Sequence, residues 1–234
     1  MARAKTKSIK DEFCRVLESS CELYDRVAGR ASIPYPATEK VELHPTQVRQ
    51  IVALAFMNVV SAWEEFVQSV FIRYMTGAES QDGYSPVLRI GTCQSIKHGV
   101  EVLSSKEGYD LTKGYLNWSS WKDVVGRARI FFKDGEPFSK VPNLWTKRLA
   151  DAFVIRNRVA HASRKCIEDF KKVARGFLAP PPRSGLPRGF SVGHLLTRGN
   201  VSVRLFGPRP SQCENVFVAF LSMFNDMAGI LLPS

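Results

Sequence analysis

Apolar residues recur at spacings of three and four between Thr46 and Met75, which predicts one long helix in this part of the chain. The apolar face is wide, and we expect Thr46 to cap the helix at its N-terminus. Such a helix must be covered by other helices, because its apolar side chains would otherwise contact water. The segment therefore favours an all-α bundle with this helix at its centre.

Six further segments show the same helical spacing. Their expected bounds are Ile9–Val27, Cys93–Leu103, Trp121–Phe132, Asn143–His161, Cys166–Leu178 and a last helix from Ser211 or Gln212 to Leu232. Apolar residues therefore recur at helical spacing from near the N-terminus to near the C-terminus, which is typical of a helical protein.

Proline-rich segments interrupt these helices. Ala31–Pro45 contains three prolines and Pro180–Gly189 contains four, so we expect a linker and a loop. Between Phe190 and Phe206, alternating apolar residues at positions 201, 203 and 205 predict a small β-hairpin. The expected fold is an all-α helical bundle with this hairpin near the C-terminus, in a single domain over residues 1–234.

The charge of the chain is unevenly distributed. Lys and Arg number 33 against 22 Asp and Glu, which gives a net charge of +11. Residues 1–121 carry 14 basic and 14 acidic side chains, so the whole excess lies in residues 122–234. A basic half indicates an acidic partner, either nucleic acid or anionic lipid, although a solubilising surface has the same composition.

Targeting and redox signals predict a cytoplasmic protein. Asp11 and Glu12 stand where a signal peptide needs its apolar stretch, and the apolar segment Ile51–Trp63 is too short to span a bilayer. The five cysteines are odd in number and form no Cys-x-x-Cys pair, while Cys14 and Cys21 share one helix face that we expect to face the core. We therefore expect no structural zinc, no cofactor and no membrane partner.

One histidine has a chemically suggestive context. His44, His98 and His194 are expected to be structural or solvated, whereas His161 follows Arg156-Asn157 at a fixed spacing. On a helix Asn157 and His161 share a face, and Arg156 lies about 140° away. No nucleotide-binding glycine loop, zinc-protease motif or nucleophile elbow is present.

These residue types suit phosphodiester chemistry. A histidine titrates near neutral pH and can move a proton, while a guanidinium binds a phosphate and stabilises the charge that builds on it. Asn157 can orient the imidazole or contact the phosphate. A structural alternative has Arg156 capping a carbonyl group or bridging Asp151, and His161 ending the helix favourably against its dipole.

The run Arg156-Asn157-Arg158-Val159-Ala160-His161 resembles the R-N-x-x-x-H signature of the HEPN superfamily, helical proteins of which many are ribonucleases. Two further segments resemble the RiboL-PSP branch of that superfamily: the Trp63-Glu64 pair in the long helix, and Tyr115–Trp118 followed by a helix and by Phe131–Phe138. The likeness covers about residues 46–176. Residues 179–209 are then a loop and hairpin insertion, and residues 211–232 a C-terminal helix.

The resemblance implies metal-independent RNA cleavage, in which a 2′-hydroxyl attacks the neighbouring phosphate and leaves a 2′,3′-cyclic phosphate and a 5′-hydroxyl. It also implies a homodimer with a composite active site, in which Arg156, Asn157 and His161 are the catalytic residues. Glu64 or Glu65 is a candidate supporting group, although a salt-bridged surface role is the alternative. A toxin-like or antiviral effector, restrained by an antitoxin or another defence partner, is the implied setting.

Basic and aromatic side chains around the motif are candidates for RNA binding. The basic candidates are Arg158, Arg164, Lys165, Lys171, Lys172 and Arg175. Trp118, Trp121, Phe131 and Phe132 could stack on bases, with core packing as the alternative. The competing function is a non-catalytic helical module that binds RNA or a partner protein.

Overall fold

The computed structural model describes residues 6–31, 43–112, 114, 116–178, 185–199, 203–207 and 215–233. These residues form nine α-helices and, between the fourth and fifth, two short 3₁₀ turns at Lys133–Gly135 and Phe138–Lys140. The helices are α1 Lys7–Ala31, α2 Pro45–Met75, α3 Ile96–Ser104, α4 Trp121–Phe131, α5 Asn143–Ala160, α6 Arg164–Phe177, α7 Val192–Leu196, α8 Val203–Phe206 and α9 Val216–Leu231. The described residues contain no β-strand, only two isolated bridges, which confirms the all-α class.

The chain divides into two compact units. The first unit comprises residues 1–15, 62–146 and 224–234, and the second comprises residues 16–61 and 147–223. Helices α1, α2 and α9 each contribute one part to each unit. A single domain over residues 1–234 stays a prediction.

Aromatic side chains fill the core of the first unit. Phe71 of α2 lies against four other rings, with centroid distances from 4.9 Å to Phe138 up to 5.9 Å to Phe131. Trp63, which is fully buried, packs 5.3 Å from Phe224 of α9. Large buried rings of this kind contribute much of the apolar area that stabilises a core, so α2 is central to this unit as its sequence predicts.

The second unit has its own apolar core. Phe220 of α9 lies between Phe56 of α2, Phe177 of α6 and Phe206 of α8, with centroid distances of 5.1, 5.9 and 5.0 Å. Helix α6 exposes its charged side chains and buries Phe170, Ala174 and Phe177. This core therefore fixes α6 beside the helices that precede and follow it in the chain.

The predicted helices are confirmed with small changes at their ends. The cap of α2 is His44 rather than Thr46: the backbone N–H of Thr46 donates to His44 Nδ1 at 3.2 Å, and the N–H of His44 donates to Gln47 Oε1 at 2.8 Å. This exchange fills the same role as a Ser or Thr capping box. Helix α3 begins at Ile96, after its cap Ser95, rather than at Cys93.

The predicted hairpin is wrong in the part that the structure describes, because Val192–Leu196 and Val203–Phe206 are helical. Ser191 and His194 form a capping box that nucleates α7. Val192, Leu195 and Leu196 are buried at helical spacing, so tertiary packing and the cap together favour a helix there. Gly199 forms an isolated bridge with Asn215 instead of belonging to a hairpin.

Several predictions fall partly outside the described residues. Most of the Ala31–Pro45 linker, part of the Pro180–Gly189 loop, Val201 and residues 211–214 lie there, and so does Tyr115. Within the described part, α9 begins at Val216, and Asn215 Oδ1 accepts a hydrogen bond of 3.0 Å from the N–H of Val218.

Helix α2 is, among the described residues, the one helix long and apolar enough to cross a membrane by length and composition. The helix is longer than the apolar segment Ile51–Trp63, which by itself is too short to span a bilayer. Half of its most apolar window is buried inside the protein, and a buried core helix meets the same criteria.

Cys14 and Cys21 are half-buried, so they lie at the edge of the core rather than within it.

Candidate active site at the end of helix α5

The Arg-Asn-x-x-x-His motif forms the last turn of α5 and the residue that follows it. Helix α5 ends at Ala160, and the backbone N–H of His161 still donates to the carbonyl oxygen of Asn157 at 2.9 Å. The Nη1 atom of Arg158 donates to the carbonyl oxygen of His161 at 3.3 Å. This bond satisfies a carbonyl group left free at the helix end. His161 therefore stays one helical turn from Asn157, although the helix is one residue shorter than predicted.

Arg156 and Asn157 are joined through their side chains. The Nη1 atom of Arg156 donates a hydrogen bond of 3.0 Å to Oδ1 of Asn157. Both residues are half-buried. The bond restricts the orientation of the guanidinium. The pair therefore places a positioned guanidinium at the end of the helix.

His161 is exposed, and its imidazole makes no hydrogen bond or ion pair with any residue in the described part of the chain. The other three histidines bind backbone N–H groups at helix N-termini. His44 Nδ1 accepts from Thr46, His98 Nδ1 accepts from Gln94 at 3.3 Å, and His194 Nδ1 accepts from Ser191 at 3.2 Å. The expectation that these three are structural or solvated agrees with these contacts. Of the four histidines, only His161 has neither ring nitrogen bound to a described residue, so both nitrogens are available for proton transfer.

Asp151 forms an ion pair with the buried Arg148, which does not belong to the motif. Its Oδ2 atom lies 3.1 Å from Nη1 of Arg148, one turn earlier on α5. Burial raises the pKa of Asp151, and the charges of Arg148 and Lys147 oppose that rise. The guanidinium of Arg148 also lies 4.9 Å from the ring centre of Phe177. The contact of Arg148 with Phe177 ties α5 to α6.

Glu64 and Glu65 lie on α2 in the first unit. Glu64 is buried and Glu65 is exposed. The exposure of Glu65 agrees with the surface alternative, although no ion pair joins it to a described residue, and the burial of Glu64 does not agree with it. A supporting role for either residue stays a prediction.

The basic candidates differ in how far their charges are balanced. Lys171 pairs with Glu168 at 2.8 Å and Lys172 with Asp169 at 3.5 Å, both on the exposed face of α6. Arg164, Lys165 and Arg175 are exposed at the two ends of the same helix, and Arg158 is half-buried beside the motif. Exposed pairs are weak, so Lys171 and Lys172 remain able to exchange their partners for a phosphate.

The aromatic candidates for base stacking belong to the core. Trp118, Trp121, Phe131 and Phe132 are all buried, with exposed fractions of 8% or less. Trp118 Nε1 donates to Gln68 Oε1 at 2.8 Å, which satisfies its polar atom inside the protein. Core packing, the alternative reading of these four residues, is therefore the correct one.

A cleft of about 660 Å³ lies beside the motif in the second unit. The N-terminal part of α2, the end of α5 and residues 189–194 form its walls. Arg49, Arg158 and His194 line it, and the described residues that line it include no carboxylate. Because Arg158 also binds the carbonyl of His161, the cleft is continuous with the motif.

The sequence predicts Arg158 as an RNA-binding residue, but it does not predict the cleft or the part that Arg49, Phe190 and His194 take in lining it. More than a hundred residues separate Arg49 from the other lining segments, and no local pattern joins them. The Ser191–His194 cap was the one local signal that would have placed α7, and with it His194.

Among the residues that the structure describes, no group of three His, Cys, Asp or Glu side chains is arranged to hold a metal ion. Independence from metal and from cofactors stays a prediction. Compared with family models, with curated proteins and with solved structures, the chain has no match. The interpretation of the site therefore depends on the chemistry of its own residues.

Proposed function

We propose that this protein is a metal-independent endoribonuclease of the HEPN type, with Arg156, Asn157 and His161 as its catalytic residues. The observation that carries the proposal is the end of α5. There an exposed imidazole without a partner among the described residues lies one turn from an Asn157-bound guanidinium. A proton-transfer group and a phosphate-binding charge are the two functions that such a cleavage needs.

In the proposed reaction the 2′-oxygen of a ribose forms a bond to the adjacent phosphorus, and the bond from phosphorus to the 5′-oxygen breaks. One proton leaves the 2′-hydroxyl and one is delivered to the 5′-oxygen, so the products are a 2′,3′-cyclic phosphate and a 5′-hydroxyl. His161 moves one of these protons, and Arg156 stabilises the charge on the phosphate. DNA lacks the 2′-hydroxyl and is not a substrate.

The proposed assembly is a homodimer in which the motifs of both subunits face one site. Arg156 of one subunit and His161 of the partner subunit then act on the same phosphate. The proposed setting is the cytoplasm, where the enzyme acts as a toxin-like or antiviral effector held in check by an antitoxin or another defence partner. Induced expression tests this setting: wild-type protein should arrest growth, and His161→Ala should not.

An RNA oligonucleotide incubated with the purified full chain and EDTA tests the activity. We expect products that end in a 2′,3′-cyclic phosphate, and no cleavage at a position carrying 2′-deoxyribose. His161→Ala and Arg156→Ala should each lower the rate by about a hundredfold or more, the range of general acid–base catalysis. Far-ultraviolet circular dichroism and a thermal melt should show that both variants keep the fold.

His98→Ala is the matched control, because it removes a histidine that does not belong to the motif and that binds the backbone at the N-terminus of α3. It should cleave at the wild-type rate. Full activity in His161→Ala or in Arg156→Ala contradicts the assignment, and so does cleavage that EDTA abolishes.

The second candidate function is a non-catalytic module that binds RNA or a partner protein. The observation that favours it is that residues of the motif form hydrogen bonds with one another: Arg156 binds Asn157, and Arg158 binds the carbonyl of His161. This function predicts salt-sensitive RNA binding without cleavage products. It also predicts a loss of thermal stability in Asn157→Ala, which removes the acceptor of the Arg156 bond.

A further inference from the structure

The cleft beside the motif has the composition of an anion-binding site. Arg49 and Arg158 contribute two guanidiniums, and the described lining residues supply no carboxylate to balance them. The guanidinium of Arg49 forms no hydrogen bond or ion pair with any residue in the described ranges, and Arg49 is half-buried. A partly enclosed charge without a counter-charge attracts an anion more strongly than a charge in open water does.

Helix α7 is fixed closely against α2, and this contact places His194 next to Arg49. Gly193 makes the approach possible: a Cβ atom at this position would overlap the backbone carbonyl of Arg49. The charge of Arg49 reaches the imidazole, because burial and then Arg49 lower the pKa of His194. His194 Nδ1 accepts the N–H of Ser191, which leaves the other ring nitrogen without a partner among the described residues.

Aromatic rings form a short column that ends in the cleft. Phe170 and Phe190 are stacked with centroids 6.4 Å apart, and Phe190 and His194 are stacked at 5.6 Å. Phe190 and His194 line the cleft, whereas Phe170 is buried behind them. Gly189, with φ of 78°, lies in a turn closed by the N–H of Phe190 and the carbonyl of Pro187 at 3.1 Å. This turn brings Phe190 to the wall of the cleft.

We propose that this cleft binds one nucleotide of a single-stranded RNA next to the scissile phosphate, with Arg49 and Arg158 on its phosphate and its base on the column of Phe190 and His194. The inference deepens the proposed function and rests on it. The volume of 660 Å³ falls within the range of about 300–1,000 Å³ that small-molecule sites occupy. Arg158 joins the nucleotide site to the motif, because it touches both.

Stacking of a base on an aromatic ring does not depend on which base it is, so this subsite favours a single-stranded nucleic acid over other polyanions without reading its sequence. A polyphosphate or an acidic peptide would engage the two arginines alone. The column of rings is therefore the feature that selects a nucleotide.

Binding to the full chain carrying His161→Ala tests the proposal, because this background removes cleavage from the measurement. The probe is a fluorescein-labelled single-stranded oligoribonucleotide, followed by anisotropy. We expect Arg49→Gln to weaken binding about tenfold, the loss of one charge-assisted hydrogen bond. The slope of log affinity against log salt should become shallower by about 0.7, the loss of one phosphate contact.

Arg15→Gln is the matched control, because it removes the same charge from an exposed position on α1. We expect it to change affinity by less than about twofold, as removal of an exposed surface charge does. Equal weakening by Arg15→Gln and Arg49→Gln would overturn the proposal, since only net charge would then matter. Unchanged affinity in Arg49→Gln would overturn it as well.

A second measurement follows the imidazole signals of His194 by NMR on addition of cytidine 3′-monophosphate or of inorganic phosphate. The nucleotide should shift these signals at concentrations where phosphate does not. Equal shifts with phosphate alone would overturn the role of the aromatic column. Neither measurement depends on cleavage, so an inactive wild-type chain that still passes both would contradict the proposed nuclease and leave the nucleotide site supported.

Discussion

The Nη1 atom of Arg156 donates a hydrogen bond of 3.0 Å to the Oδ1 atom of its neighbour Asn157, at the end of α5. Adjacent residues on a helix point about 100° apart, so only a long side chain can reach back to its neighbour. Arg156 does this, which brings its guanidinium toward the face that Asn157 and His161 share. The bond gives Asn157 a definite task in the proposed site, namely to position Arg156.

Replacing Asn157 with Ala should therefore lower kcat by about tenfold, the equivalent of one lost hydrogen bond to a charged group. The KM for RNA should stay within about twofold, because the charge of Arg156 remains in place to bind the substrate. Steady-state cleavage of a fluorogenic oligoribonucleotide measures both constants.

Asn157→Asp gives a contrasting variant. A carboxylate would hold the same guanidinium more tightly and would add a negative charge that repels the phosphate, so kcat should fall further than in Asn157→Ala. If Asn157→Asp cleaves as well as the wild type, Asn157 does not act by positioning a charged Arg156.

Mixed dimers test the composite site. Arg156→Ala and His161→Ala are each expected to be inactive alone, but a dimer with one subunit of each keeps one Arg156 and one His161. Refolding the two variants together should restore part of the activity, up to about half for a random mixture in which only mixed dimers work. Two inactive variants that stay inactive after mixing contradict a site shared between subunits.

Helices and the motif could be predicted from the sequence because both depend on local order. The apolar spacing of α2 and of α5 can be recognised within each segment alone. Arg156, Asn157 and His161 likewise lie within six residues of one another. The cleft could not be predicted, because Arg49 and His194 meet only through the close packing of α7 on α2 at Gly193. Such contacts between distant segments leave no periodic pattern in the sequence.

The wrong hairpin has a different cause. Alternating apolar residues at positions 201, 203 and 205 predict strands, whereas Ser191 and His194 form a capping box that begins α7. Histidine is an unusual residue in that role, since Glu or Gln is the common one. A short helix with only one buried turn lacks the repeated spacing that identifies longer helices.

The pKa of His194 should lie below its ordinary value of 6.5, first because burial disfavours the charged ring and second because Arg49 repels it. Arg49→Gln should raise this pKa but leave it below 6.5, since burial remains. NMR titration of the imidazole signals measures both values, with Arg15→Gln as the charge-matched control. An unchanged pKa in Arg49→Gln would show that Arg49 does not act on His194.

The lowered pKa of His194 also makes the free energy of unfolding depend on pH. Folding lowers the pKa of His194, so the unfolded chain binds its proton more readily below pH 6.5. The contribution of His194 to the free energy of unfolding is therefore intact above pH 6.5 and is lost as the pH falls through the folded pKa. Urea unfolding of the wild type and of His194→Gln across this range should show a smaller pH dependence in the variant.

Arg148 should matter more for stability than an exposed arginine does. Its side chain is 7% exposed, and it holds Asp151 and lies over Phe177, so Arg148→Ala leaves a largely buried carboxylate without this partner. We expect a loss of about 3 kcal/mol in the free energy of unfolding, and a further rise in the pKa of Asp151. Arg26→Ala, which breaks a pair with 77% and 69% of its side chains exposed, should cost at most about 0.5 kcal/mol.

A double variant separates the buried charge from the lost packing. Arg148→Met keeps an apolar contact with Phe177, and Asp151→Asn removes the charge that would otherwise be stranded. The double variant should therefore recover more than half of the stability that Arg148→Ala loses, because a buried pair costs most when only one member is removed. Urea unfolding measures the stability of the wild type, Arg148→Ala, Arg26→Ala and the double variant. Equal losses in the double variant and in Arg148→Ala would mean that the contact over Phe177, and not the ion pair, holds α5 to α6.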